Sequence, residues 1–337
     1  SFKDILLNWI LGNIFIPDPR VFWVRPSIRF LAKYLKENPV DLVITTGPPH
    51  SMHLIGLGLK QKLRLKWIAD FRDPWSKLDF LDQFLVTGFS RKRYASMESR
   101  VLKNCNAVIG TSNSMKDFLQ DFDHQKFYTI TNGYDQEDFK DVKEEKPEKF
   151  VISHTGLLNE NRNPVNLWSA LEELCSENPE FYNALEIQLT GLVDPNVVEA
   201  IESKEYLKEK LVLKGYQAHQ EVIRQNARAA VLLLLINNTH NARANIPGKL
   251  FEYLALKRPI LCLGNIEADA ARIVQETHAG FTADYDQKTE IKSALKQLFS
   301  DYSYKQTTDI DPKEIEQYSR KTLTKKLVDL LQHINGN

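Results

Sequence analysis

Lys249 follows Pro247 and Gly248 at what reads as the start of a helix, and Glu252 stands one turn further along the same face. A cation beside the free N–H groups and positive dipole end of a helix favours an anion, and this arrangement suits a diphosphate. Gly248 lets a ligand approach the backbone, while Pro247 suits a first helical turn. A carboxylate one turn behind such a site is placed to accept hydrogen bonds from sugar hydroxyls. The bland alternative is a salt bridge between Glu252 and Lys249 at three-residue spacing.

The helix has to be held by its neighbours. Ala230 to Ile236 is an unbroken apolar run, which suits a parallel strand buried on both faces, and the polar loop Asn237 to Asn245 follows it. Leu250, Phe251 and Leu254 form the inward stripe of the helix, Pro259 stops it, and Ile260 to Leu263 reads as the next strand. That is a βαβ crossover. Upstream the pattern repeats: strand Phe150 to Gly156, helix Val165 to Leu174, strand Leu185 to Thr190, helix Pro195 to Ile201 and strand Leu211 to Leu213. These strands run into Gly156, Gly191 and Gly215, and ligands of open parallel sheets bind beyond the carboxyl ends of the strands. Gly215 with Tyr216 can border a nucleotide base or form a plain turn. His154, near its strand end, reads equally as a satisfied core residue.

The first half is also α/β: strands at Asp41 to Thr46, Lys66 to Asp70, Ala107 to Thr111 and Phe127 to Ile130, and helices at Ser51 to Leu63, Arg91 to Asn104 and, capped by Ser112, Asn113 to Gln120. Arg72 and Asp73 end the second strand. Asp73 can orient a hydroxyl, act as its base or cap the turn before Pro74, and Arg72 can bind phosphate. His50 follows Pro48-Pro49 at a strand end as base, phosphate donor or loop residue. The charge-rich stretch Lys140 to Lys149 reads as a linker, and the apolar spacing from Lys313 to Ile334 predicts one long helix.

Lysine plus arginine and aspartate plus glutamate balance at 44 each, which argues against nucleic acid as the main partner. The three cysteines lack metal-type spacing, no apolar run approaches a membrane span, and no signal peptide is evident, so a reducing cytoplasm is expected. Arg91, Lys92, Arg93, Arg100 and Lys103, with Glu98 as the one acid, form a basic helix face. Together with the aromatic, basic segment Arg20 to Lys33 it either lies on the anionic inner face of a membrane or is a solvated surface.

Placed in order, Thr46-Gly47-Pro48-Pro49-His50, Asp70-Phe71-Arg72-Asp73-Pro74-Trp75, Thr131-Asn132-Gly133-Tyr134-Asp135, His154-Thr155-Gly156-Leu157-Leu158 with Arg162-Asn163-Pro164, and Pro247-Gly248-Lys249-Leu250-Phe251-Glu252-Tyr253 resemble landmarks of one family. It is the retaining glycosyltransferases of the GT-B fold, the group-1 or family-4-like enzymes of bacterial surface polysaccharide synthesis. The resemblance runs from Asp41 to the carboxyl terminus.

The resemblance implies two Rossmann-like doubly wound domains: residues 1–139 on the acceptor side, a linker at 140–149, a donor-binding domain at 150–312, and a terminal helix at 313–337 packing back across them. It implies metal-independent transfer from a nucleoside diphosphate sugar to a saccharide or polyprenyl-linked acceptor, with no cofactor. Gly156, Arg162, Gly248 and Lys249 would hold the diphosphate, Glu252, Gly215 and Tyr216 the ribose and base, and Asp73, Arg72 and His50 would serve the acceptor and the chemistry. Two departures stand out. Where the family often has a glutamate eight residues before the one matching Glu252, this chain has Ala244, so sugar contacts would fall to Asn245, His240 or residues elsewhere. Ser1 to Asn38 shows no opening strand or glycine-rich turn, so the first domain is expected to lack its first strands. Two other readings share the architecture: a nucleotide-sugar 2-epimerase, and a non-catalytic or truncated nucleotide-binding module.

Overall fold

The computed structural model describes all residues except 1, 78–80, 82–83, 120–122, 143–145, 240, 305–311 and 337. The chain forms two compact units, one of Ser1–Thr131 with Thr324–Asn337 and one of Asn132–Leu323.

In the first unit, helices α1 (Phe2–Asn13) and α2 (Val24–Glu37) precede strands β1 (Leu42–Gly47), β2 (Lys66–Phe71), β3 (Ala107–Gly110) and β4 (Phe127–Thr129). The four strands are parallel and lie in chain order. Helices α3 (Ser51–Leu63) and α4 (Gly88–Asn104) make two of the crossovers. Trp67, Ile68, Ala69 and Phe71 of β2 are wholly buried, as a central strand covered on both faces requires. The expected helix after Ser112 is instead a 3₁₀ segment, Asn113–Phe118, and Ser112 makes no side-chain cap. Gln120, its expected end, lies outside the described residues.

The second unit carries β5 (Phe150–Thr155), α5 (Val165–Glu177), α6 (Pro179–Ala184), β6 (Leu185–Thr190), α7 (Pro195–Glu202), β7 (Leu211–Gly215), α8 (His219–Ala227), β8 (Val231–Leu235), α9 (Lys249–Leu256), β9 (Ile260–Leu263), α10 (Asp269–Glu276), β10 (Gly280–Ala283) and α11 (Lys288–Ser303). Its six-stranded parallel sheet runs β7-β6-β5-β8-β9-β10, the doubly wound order, so the direction of winding reverses between β5 and β8. The apolar run in β8 follows from this central position. Val231, Leu233 and Leu235 join Trp168 and Leu295 in one core, while Leu232, Leu234 and Ile236 join Leu250, Phe251 and Ile273 in another. Alternate side chains of a strand point to opposite faces, and both faces are covered here.

The single helix expected from Lys313 to Ile334 is two, α12 (Pro312–Glu316) and α13 (Arg320–Gly336). Between them Ser319 pairs with Tyr134 in a parallel bridge: Tyr134 N–H donates to Tyr318 O at 3.2 Å and Arg320 N–H to Tyr134 O at 2.9 Å. The backbone has to leave the helix to make these bonds. A side chain at Gly133 would meet the Tyr318 carbonyl at 2.3 Å, so this glycine permits a close approach as well as a turn. Within the first unit, Leu327, Leu330, Leu331 and Ile334 of α13 pack on Ile68, Ala107 and Ile109. Lys66 Nζ donates to the Ile334 and Asn335 carbonyls at 2.7 and 3.0 Å, satisfying the end of that helix.

Candidate functional site

In the second unit the residues expected to hold a diphosphate gather where β5 and β8 end, at the switch point of the sheet. The carboxyl ends of parallel strands open a crevice there. Helix α9 begins at Lys249, with Gly248 as its N-cap and no side-chain cap. Pro247 precedes the helix, its carbonyl accepting the Leu250 N–H at 3.0 Å. Lys249 Nζ donates to Thr155 O at 2.7 Å and lies 3.4 Å from His154 Nε2. His154 Nδ1 is 3.0 Å from Leu233 O and so carries the proton, which leaves Nε2 as an acceptor facing the lysine. Arg162 donates from Nε to Asn237 Oδ1 and from Nη1 to Leu157 O at 3.2 Å.

Burial, then the nearby Arg162 charge, lowers the Lys249 pKa to about 7, while Glu252 acts in the opposite direction. Among the described residues no carboxylate is bonded to Lys249 or Arg162, and an arriving anion offsets the positive charge that the two bring to one crevice. Gly156 ends β5 at φ +112°, and a side chain there would lie 3.6 Å from Lys249 Nζ. The alternative reading, a Lys249–Glu252 salt bridge, is not the pairing found. Lys249 turns toward Thr155 and His154, and Glu252 pairs with His219 Nε2 at 3.1 Å. Gly215 has φ +61° and open space around it, and Tyr216 is 93% exposed. Ala244 is buried, while His240 lies outside the described residues.

In the first unit, Arg72, Asp73 and His50 surround the carboxyl ends of β1 and β2. Arg72 donates from Nη1 to Asp70 Oδ1 at 3.2 Å and to Ile130 O at 3.4 Å, and Thr46 Oγ1 donates to Asp70 Oδ2 at 2.7 Å. Asp73 is exposed at its outer edge but lines a cavity, and loss of hydration raises its pKa against the opposing pull of Arg72. His50 lines the same cavity, 3% exposed, with its ring stacked on Trp75 at 5.3 Å and an interplanar angle of 3°. Among the described residues neither of its ring nitrogens has a hydrogen-bond partner, nor has Trp75 Nε1. Asp18 closes the first turn of α3, accepting from Ser51 N and Oγ at 2.7 and 2.9 Å.

Glu98 is not the surface acid expected on α4. It is buried, and it accepts from Trp75 N and Ser76 N at 3.0 Å and from Ser76 Oγ at 2.5 Å. Burial raises its pKa, those donors lower it, and the loop bearing Asp73 is pinned as a result. The residues not anticipated from sequence are His219, Asn237, Asp18 and this inward Glu98. None has a local signal; each is recruited by an element distant along the chain.

The buried histidines make acid stability testable. Burial lowers His50 from 6.5 to about 4 and holds His53 and His154 well below 6.5. The unfolded chain therefore takes up protons at these residues before the folded one does. Their neutral forms support stability fully above about 6.5, and that support is lost as pH falls towards about 4. Urea midpoints are expected to fall across this window and less steeply in His50→Phe; equal slopes would rule out His50 as a contributor.

Two parallel α/β units, the second in doubly wound order with a basic crevice at its switch point, constitute the GT-B fold. Residues 9–138 match the family model described as Glycosyltransferase Family 4. The fold is shared with a sucrose-phosphate synthase from Thermosynechococcus elongatus at 12% identity and TM-score 0.61, covering 94% of this chain and 79% of that one. It is shared with Anabaena HepE, solved in complex with UDP-glucose, at 13% and 0.62, covering 91% and 82%. An α,α-trehalose-phosphate synthase (UDP-forming) from Burkholderia vietnamiensis gives 9% and 0.64, covering 92% and 79%. At these identities the likeness is one of fold. No curated protein matches the chain in sequence. The family match and the shared fold support a transferase.

Proposed function

We propose that the protein is a retaining, metal-independent glycosyltransferase that moves a sugar from a nucleoside diphosphate sugar to a saccharide or lipid-linked acceptor in cell-surface polysaccharide synthesis. The observation that carries this reading is the Lys249 ammonium, held by Thr155 O and His154 at the switch point beside Arg162. Breaking the glycosidic bond of the donor leaves negative charge on the departing diphosphate. Lys249, Arg162 and the uncapped start of α9 stabilise that charge from fixed positions, with no reorganisation during the reaction. Gly156 and Gly248 admit the phosphates to the backbone, and Glu252 accepts from the ribose hydroxyls, exchanging His219 for them, with Gly215 and Tyr216 beside the base. A nucleotide-sugar donor is further supported by the ligands of fold neighbours: UDP-glucose in HepE and UDP in a Staphylococcus aureus MnaA structure.

In the first unit, Asp73 orients the acceptor hydroxyl and takes up its proton, while Arg72 and His50 bind the acceptor. A membrane-surface location is supported by exposed Ile5, Leu6, Leu7 and Trp9 on α1 and by Phe22 and Phe30 among exposed Arg20, Arg25, Arg29 and Lys33. No helix among the described residues is long and apolar enough to cross a membrane.

Calorimetry with uridine, guanosine and adenosine diphosphates and their sugars tests the donor site. One base is expected to bind, and Glu252→Ala is expected to weaken that ligand more than tenfold through lost ribose bonds. No binding by any of the panel would remove the donor assignment, and full affinity in Glu252→Ala would return that carboxylate to a surface role.

A further inference from the structure

We infer that the cavity of the first unit holds the hydrocarbon chain of an amphiphilic acceptor whose head, at Asp73 and His50, is uncharged and bears hydroxyls. The proposal uses the transferase reading only to name the guest an acceptor; binding itself is independent of it. The cavity measures about 210 Å³ and is walled by Leu11, Phe15, Pro17, Pro49, Trp75 and Phe84, with Asp18, His50, Asp73 and the Tyr94 hydroxyl, which donates to Gly12 O at 3.3 Å, among its polar groups. An apolar cavity of about 150 Å³ admits a benzene ring, so by simple scaling this one takes about eight carbons.

The electrostatics select the head group. Asp18 and Asp73 are the carboxylate side chains of the lining, no lysine or arginine is among the described lining residues, and burial keeps His50 neutral at pH 7. A phosphate or carboxylate would meet these two carboxylates, and the neighbouring cation, Arg72, is already bonded to Asp70, whereas hydroxyls can donate to Asp73. Three polar atoms are buried without partners in this wall: both ring nitrogens of His50 and Trp75 Nε1. Buried polar atoms are normally satisfied, so unpaired ones lining a cavity point to a guest that supplies bonds. The apolar wall is also continuous with an exposed apolar surface. Leu11 belongs to α1 and Phe15 follows it, and the same stretch exposes Ile5, Leu6, Leu7 and Ile14, a route for a chain arriving from lipid.

Calorimetry on the full chain with methyl, butyl, hexyl and octyl β-glucosides, kept below their micelle concentrations, tests the inference. Affinity is expected to rise about three- to fourfold per added methylene, as burial of hydrocarbon predicts, and to level off near eight carbons. Glucose alone should not bind detectably, and octyl phosphate should bind at least tenfold more weakly than octyl glucoside. Leu11→Trp, which fills the cavity, should lower octyl glucoside affinity at least tenfold with UDP-glucose binding unchanged. Absence of a chain-length dependence, equal binding of octyl phosphate, or undiminished affinity in a folded Leu11→Trp variant would each overturn it. The chain-length series on the unaltered protein stands even if that variant fails to fold. Loss of UDP-glucose binding with the series intact would instead strike the donor reading alone.

Discussion

Lys249→Met is expected to lower sugar transfer more than a hundredfold and to weaken binding of the nucleotide sugar selected by the calorimetric panel more than tenfold, with the fold retained. The methionine keeps the length and apolar stem of the lysine but removes the cation from the crevice floor. Loss of one preorganised group that stabilises developing charge typically costs about 10²–10³ in rate. The pH dependence makes the assignment specific. In the free protein the Lys249 pKa is about 7, because the amine is buried beside Arg162. An anionic diphosphate favours the ammonium, so binding above that pH takes up a proton. Affinity is therefore highest near and below pH 7 and falls by up to about tenfold per pH unit above it, until the bound-state pKa is reached. A nucleotide sugar is the right probe, because its diphosphate has no proton to lose in this range. Calorimetry in two buffers of different ionisation heat would count the proton directly. Lys249→Met should lose both the uptake and the slope; a slope that survives the substitution would transfer the effect to another group.

Gly191→Ala should destabilise the second unit by about 2–6 kcal/mol and weaken donor binding more than tenfold. Gly191 has φ +114°, and a methyl group there would stand 2.6 Å from the Gly156 carbonyl oxygen and 3.0 Å from its carbon. Backbone strain of this kind costs about 1–3 kcal/mol and an overpacked contact about as much again. The relief would come from moving Gly156, the residue expected to admit the diphosphate beside Lys249. Gly215→Ala is the internal control: at φ +61° with no atom within 4 Å of the added methyl, it should cost about 1–2 kcal/mol. Urea unfolding and calorimetry with the nucleotide sugar selected by the panel, on the two variants, separate the effects. Equal destabilisation would mean that contact with Gly156 plays no part.

Much of the second unit was legible in advance because its signals are local. The apolar run from Ala230 to Ile236, the stop at Pro259 and the glycines closing β5, β6 and β7 each depend on a few neighbouring residues, and the strands and helices fall close to where those residues put them. Glycine endings were informative for a physical reason: Gly156, Gly191 and Gly215 all have positive φ, which other residues adopt at a cost. The terminal segment misled because its apolar spacing suits one helix, while Ser319 leaves the helix to pair with Tyr134, a partner far away along the chain. Ser112 misled for a related reason: a capping residue type does not compel a cap.

The partners of the site residues needed the folded chain. Composition, periodicity and residue type by themselves determined that this protein has two parallel α/β regions and a cationic helix start after a buried strand. Those properties arise within a turn or a strand. Only the tertiary structure decided that Lys249 meets His154 and Thr155 instead of Glu252, that Glu252 meets His219, and that Glu98 turns inward to pin the Asp73 loop. It alone brought Leu11, His50 and Trp75 to one cavity. Those pairings follow from strand order and crossover packing, which bring distant segments within hydrogen-bonding distance and leave no trace in the spacing of residues along the chain.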